Sequence, residues 1–383
     1  MVYPARPMSL VVGGIVRPDD LVGRVRDAEI VAAALPHSGA VLVGDRRHGK
    51  TSLARLAQQN AAHTGALVVA ISAERDTYAE FVAALAAQLA DLEPAWTQEL
   101  AKLRVTLTAG PLKVERDGTA AAALDDLLRR AVDRAGRKQL VLFIDEVTVL
   151  ARNLERRDSG AGENFLHTLR RFRQEHGGKV ATVLSGSIGF HHVSIDAPST
   201  VNDIRKIVVG PIRSDHAGYL AECLLLGGGV DAVHAHDLAP SIAAAAENVP
   251  YYIQHLVAAS FRGWRDTGSL PTPQAVPGLV TDAIADPSDP WDLRHYRDRL
   301  RHYYGDDAAA VAKLLDVYAH ADGPLTIDET FHLLRGEDSP IADRDALVAL
   351  VERLEQDHYL VREDDANRFS SRLIQRAWRA MRR

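Results

Sequence analysis

Short, unbroken apolar runs alternate with longer helical patterns through the first 210 residues. The runs are "AVLVG" (40–44), "ALVVAISA" (66–73), "QLVLFIDEV" (139–147), "KVATVLSGS" (179–187) and "RKIVVG" (205–210). Continuous apolar runs, unlike alternating ones, suit strands covered on both faces of a parallel sheet. Helical periodicity over 51–59, 78–92, 119–135 and 164–176 fills the gaps between them. The order predicts a doubly wound α/β domain.

Later segments have a different rhythm. "TAGPLKVERDGTA" (108–120) reads as a loop dividing two helical insertions. From 214 to about 286 the strand signal disappears, and Ala/Leu-rich helices take over, broken at "LGGGV" and "ENVP". The Pro-, Gly- and Asp-rich stretch 269–290 reads as a linker. Helices are then predicted over 307–320, 327–335 and 344–356, followed by two short strands within 358–370 and a final helix. Three helices followed by a β-hairpin have the order of a winged helix.

Composition narrows the class. A chain of 383 residues is long enough for two or three domains, and 46% hydrophobic with 25% charged residues describes a folded protein. The net charge of -6 argues against a general nucleic-acid coat. A single cysteine, Cys223, leaves no intrachain disulfide and no multi-cysteine zinc site. Pro4, Pro7 and Pro18 interrupt a first segment without a long apolar core, a poor signal peptide. With no run of about 18 apolar residues, no membrane span is expected. The expected location is cytoplasmic.

The sharpest chemical signal is Gly44-Asp45-Arg46-Arg47-His48-Gly49-Lys50-Thr51, which matches G-x-x-x-x-G-K-[ST] between a strand and a helix. Gly44 and Gly49 let the backbone wrap around phosphate oxygens, while amides and the helix N-terminus at Gly49–Ser52 supply positive dipole. Lys50 adds a point charge on the outer phosphates, and Thr51 offers a hydroxyl to Mg²⁺. Arg46, Arg47 and His48 are required for their backbone amides alone, which leaves their side chains for solvent or a subunit interface. A second half of such a site is an acid closing a neighbouring buried strand. "LVLFIDEV" supplies Asp145 for Mg²⁺ and Glu146 to orient and polarise water. Ser185 or Ser187, in "TVLSGSIGF", could stand between acid strand and phosphate loop, or could simply belong to a serine-rich turn. Without N-K-x-D, ATP is expected rather than GTP.

With these residues placed, the chain resembles AAA+/STAND P-loop ATPases, and within them the archaeal-type ATPase family. "LVGRVRDAEIVAAAL" (21–35) is similar to that family's opening segment, which implies Val22, Gly23 and Arg24 beside the adenine. "SGSIGF" resembles the Gly-Ser after the sensor strand, and Pro211 stands where the lid begins. "AENVPYYIQHLV" (246–257) resembles a lid segment whose proline packs on the base, here Pro250, with Glu247-Asn248 replacing paired glycines. "FSSRLIQRAW" is similar to the end of the family's winged helix. The resemblance leaves Arg205 as the candidate arginine finger, the alternative being a charge flanking a strand. It implies an N-terminal extension (1–20), an AAA+ P-loop core (21–212), a helical lid (213–285) and a winged-helix domain (286–383).

Charge bears on partners. The helix in the recognition position carries Asp343, Asp345, Glu352, Glu355 and Asp357 against Arg344 and Arg353. Flanking phosphates would repel it. Segment 368–383 instead carries six arginines and no acid, a stripe able to grip nucleic-acid phosphates, an acidic partner or another subunit. Arg170, Arg171 and Arg173 read as a solvated helix face, with nucleic acid or a neighbouring subunit as the alternative. His234 and His236 read as surface, and His191 and His192 as structural. The expected function is a slow, regulated ATPase that couples nucleotide state to a protein partner or self-oligomer. The alternatives are an AAA+ ATPase acting on DNA and a P-loop kinase.

Overall fold

The structure, a computed structural model, describes residues 4–92, 116–335, 341 and 343–382, without the side chains of 116–119. It falls into two compact units, Ile15–Val209 and Met1–Gly14 with Gly210–Arg383.

The first unit is built on five parallel strands, β1 (Gly39–Val43), β2 (Leu67–Ser72), β3 (Leu140–Asp145), β4 (Val180–Ser185) and β5 (Arg205–Val208). Their order is β2-β3-β4-β1-β5. The unbroken apolar runs have a direct cause. In β3, Leu140, Leu142 and Ile144 enter one core, whereas Val141 and Phe143 enter the other. Helices α1 (Val25–Ala34) and α2 (Lys50–His63) cover one face. Helices α3 (Tyr78–Leu92), α4 (Arg116–Ala135), α5 (Val147–Arg157) and α6 (Ala161–Glu175) cover the other. Each face therefore needs its own apolar set, and a two-residue alternation cannot supply both.

Two expectations change here. The acid strand β3 is not the neighbour of β1, because β4 lies between them. The arginines of α6 do not share a solvated face. Arg173 is fully buried and donates to Asp203 Oδ1 at 2.8 Å and to the Thr200 carbonyl at 2.8 Å. Arg170 donates to the Ser199 carbonyl at 3.0 Å, while exposed Arg171 pairs with Asp125 at 3.6 Å. The loop expected at 108–120 lies largely outside the described residues, although its last five already belong to α4.

In the second unit, α7 (Ser214–Gly227), α8 (Ala232–Ala245), α9 (Pro250–Thr267) and α10 (Val276–Ala285) pack together. The linker expected over 269–290 therefore contains a helix. Pro277 is tolerated in its first turn, where no intrahelical N–H is needed, and buried Val276 and Val280 pin it. Residues 4–14 are not a free-standing extension. Met8 N donates to the Cys223 carbonyl at 2.9 Å, and Val11 N donates to Gln254 Oε1 at 2.7 Å. Gly227 is required because a Cβ there would collide with the Met8 carbonyl.

Next come α11 (His295–Tyr304), α12 (Ala308–His320), β6 (Leu325–Thr326), α13 (Ile327–Leu334) and α14 (Arg344–Gln356). Hairpin strands β7 (Leu360–Glu363) and β8 (Ala366–Phe369) and helix α15 (Arg372–Met381) close the chain. The strands form an antiparallel sheet, β6-β8-β7, around a core that includes Leu314, Val351, Leu354 and Trp378. Among the described residues, no helix is long and apolar enough to cross a membrane.

Candidate functional site

The site lies at the carboxyl ends of β1, β4 and β3, where the phosphate loop leaves β1. Gly44 has φ +150°, and a Cβ there would strike the Val209 carbonyl, so any larger residue displaces the loop. Gly49 closes the loop at φ +90° and caps α2, which begins at Lys50 and leaves its first amides unpaired within the helix. Buried Lys50 bridges the loop, donating to the carbonyls of Gly44 at 2.8 Å and Asp45 at 3.0 Å. The buried Asp45 carboxylate accepts the Arg46 amide at 2.7 Å. Ser52 is buried in the first turn of α2.

Two residues brace the loop from below. Arg24, also buried, caps α1 and donates to the His48 carbonyl at 2.7 Å and to Asp27 Oδ2 at 3.0 Å. Burial draws its guanidinium below the usual arginine range, and Asp27 opposes that shift. Gly23 takes φ +76° just before it, and Val22 is half-buried. The His48 ring is not left to solvent or an interface, since Nδ1 stands 3.1 Å from the Val209 carbonyl. Facing a carbonyl, that nitrogen carries a proton. Burial also pushes the His48 pKa down, as do nearby Lys50 and Arg24, with Asp45 and the Val209 carbonyl opposing. Arg46 is exposed, and Arg47 holds a left-handed backbone at φ +78°.

Asp145 is the meeting point. Thr51 donates its hydroxyl to Asp145 Oδ2 at 2.9 Å, and Ser185 donates to Oδ1 through a short bond. Strand order explains the second contact, because β4 sits between β1 and β3 and pairs Ser185 with Leu42. The next residue, Glu146, turns into the left-handed region at φ +56° and starts α5. Its Oε2 accepts the Ser187 amide at 2.8 Å and the Ser187 hydroxyl at 2.7 Å. Thr51, Asp145, Glu146 and Ser185 open onto one groove. The hydroxyl of Thr51 and the carboxylate of Asp145 form a hard oxygen donor pair suited to a divalent cation such as Mg²⁺. The glycine loop and free helix N-terminus suit phosphate.

Arg205 is not brought to this site. It pairs with Ala40 near the start of β1, at the sheet end opposite the phosphate loop. Within one chain it flanks a strand, and any finger role requires a neighbouring copy. Pro250 lies in the first turn of α9, after a turn in which Glu247 (φ +51°) and Asn248 (φ +59°) both adopt left-handed backbone. Sequence reasoning missed Val209 and Asp27. Neither carries a motif signal, because Val209 acts through its carbonyl and Asp27 through Arg24.

Residues 36–193 match the family described as AAA domain. A solved Walker-type ATPase of Pyrococcus abyssi is similar in structure at 15% identity and TM-score 0.61, covering 99% of this chain and 100% of that one. The ORC2 protein of Aeropyrum pernix, in ADPNP–ADP complexes, is similar at 14% identity and TM-score 0.53, covering 96% of both chains. No curated protein matches in sequence.

Proposed function

We propose that this chain, whose residues 36–193 match an AAA domain and whose fold is similar to that of a Walker-type ATPase, is an archaeal-type AAA+ P-loop ATPase that acts as an ATP-driven molecular switch. The observation that carries the reading is the convergence of Thr51 and Ser185 on Asp145, beside a glycine loop bridged by Lys50. Gly44 to Ser52 hold the triphosphate through main-chain amides, and Lys50 turns from its loop carbonyls to the outer phosphates. Thr51 and Asp145 would hold Mg²⁺, which supplies charge neutralisation on the phosphates when bound. Glu146 orients and polarises the attacking water once released from Ser187, and Ser185 fixes the Asp145 carboxylate.

The second unit supplies the output. Helices α7–α10 are proposed as a lid in which Pro250 reports on the base, as Val22, Gly23 and Arg24 do from the core. The module from α11 to α15 is read as a winged helix that contacts a protein partner or another copy, in the cytoplasm. The arginines of segment 368–383 are held in two different ways. Arg368 pairs with Glu363, Arg376 with the Thr281 hydroxyl, Arg379 with the Ala319 and Ala321 carbonyls, and Arg382 with Asp316. Arg368 and Arg382 are thus paired with carboxylates, whereas Arg376 and Arg379 are tethered by neutral groups and keep their charge. An in-trans role for Arg205 belongs to the same proposal.

Lys50→Ala tests the nucleotide assignment by equilibrium binding of a fluorescent ATP analogue. Loss of binding in a protein with unchanged melting supports it, and unchanged affinity overturns it.

A further inference from the structure

A second concave site lies within the C-terminal unit, apart from the phosphate loop. A cavity of about 730 Å³ opens between α10, the turn that follows it and α15. Four guanidinium groups line it, those of Arg294, Arg297, Arg376 and Arg379. Lining carboxylates come from Asp286 and Asp289, so the formal balance is four positive against two negative charges.

Those two carboxylates are already engaged by their own turn. Asp286 Oδ1 accepts the Ser288 amide at 2.8 Å and its hydroxyl at 2.7 Å. Asp289 accepts the amides of Leu293 at 2.7 Å and Arg294 at 2.9 Å. Two of the arginines are positioned by neutral groups, while Arg294 stands close enough to Asp286 to help the Ser288 bonds hold its carboxyl below the usual range. Arg376 donates Nη2 to the Thr281 hydroxyl at 2.7 Å, and Arg379 donates to the main-chain carbonyls of Ala319 and Ala321. Arg297 has an acidic partner, Asp298 at 3.1 Å. Among the described residues, Arg294, Arg376 and Arg379 form no ion pair. Three guanidinium groups without an ion pair thus face one cavity against two carboxylates, and their planar forks match phosphate oxygens.

We infer that this cavity binds a phosphate-bearing anion of diphosphate size or larger, held by Arg294, Arg376 and Arg379. The neutral tethers of Arg376 and Arg379 fix guanidinium direction before the ligand arrives, which lowers the ordering cost of binding. The same chemistry serves a small phosphorylated ligand and the phosphates of a nucleic-acid strand.

Calorimetric titration of pyrophosphate into Lys50→Ala protein tests the site away from the phosphate loop. Saturable binding is expected, weakened at least about tenfold by Arg294→Gln and by Arg376→Gln, as for loss of a charge-assisted contact. Arg294→Gln is the cleaner variant, since among the described residues Arg294 makes no side-chain hydrogen bond or ion pair, and losing its attraction to exposed Asp286 should leave melting nearly unchanged. Adding a short single-stranded oligonucleotide identifies the source. Displacement of pyrophosphate assigns a nucleic-acid strand, and undisturbed binding assigns a small phosphorylated ligand. Absence of pyrophosphate binding at millimolar concentration, or binding indifferent to both arginine substitutions, overturns the inference.

Discussion

At the scale of residues, the site depends as much on the groups beneath the phosphate loop as on the loop itself. Arg24 is the clearest case. Arg24→Ala would leave the His48 carbonyl and Asp27 without that donor in a buried setting, a loss of roughly 1–3 kcal/mol. Denaturant melts should register that destabilisation, and ATP affinity should fall with it. His48 makes the loop sensitive to acid. Its folded pKa lies below the ordinary 6.5, so the unfolded chain takes up the proton first as pH falls. The stability associated with neutral His48 is complete above about pH 6.5 and is lost as pH drops through the folded value. His48→Gln should flatten the dependence of melting temperature on pH below 6.5, and an unchanged profile would remove His48 from the account. The motif residues Gly44, Lys50, Thr51 and Asp145 were legible in the sequence because their chemistry fixes their spacing. Val209 and Asp27 were not, because a carbonyl has no residue type and a buttress has no fixed offset.

Among elements, unbroken apolar runs identified all five parallel strands, since a sheet covered on both faces leaves no polar row in its central strands. The helix α10 was hidden by its prolines and aspartates. Burial of Val276 and Val280 decides its structure, and local composition does not reveal that. Arg173 was hidden for the opposite reason. Its place among charged neighbours in the sequence looked solvated, yet Asp203 and the Thr200 carbonyl receive it in the interior. Arg173→Met should leave Asp203 without its principal cation and cost roughly 3–5 kcal/mol, measurable by denaturant unfolding. Another link joins distant parts of the second unit. Glu247 accepts the Leu373 amide at 2.6 Å, capping α15 from the turn that precedes Pro250. Glu247→Ala should weaken that helix N-terminus by about 1 kcal/mol, seen as faster amide exchange at the start of α15.

At the scale of the whole molecule, two compact units are joined by chain crossings near residues 14 and 210. Much of the acidity expected to face a partner is structural. Asp343 caps α14 through the Ala346 amide, and buried Asp357 accepts the Tyr304 hydroxyl at 2.5 Å. The acid helix therefore presents less charge outward than the sequence suggested, whereas Arg376 and Arg379 of the tail keep theirs. A partner surface is better sought in shape and in nucleotide-dependent change than in net charge.

The central claim is that Glu146 drives hydrolysis at a site formed by Lys50, Thr51 and Asp145. It is tested most directly by measuring ATP affinity and phosphate release on the same preparations of native and Glu146→Gln protein. Retained affinity with phosphate release reduced at least about a hundredfold is the predicted result. Hydrolysis at the native rate in Glu146→Gln protein would contradict it.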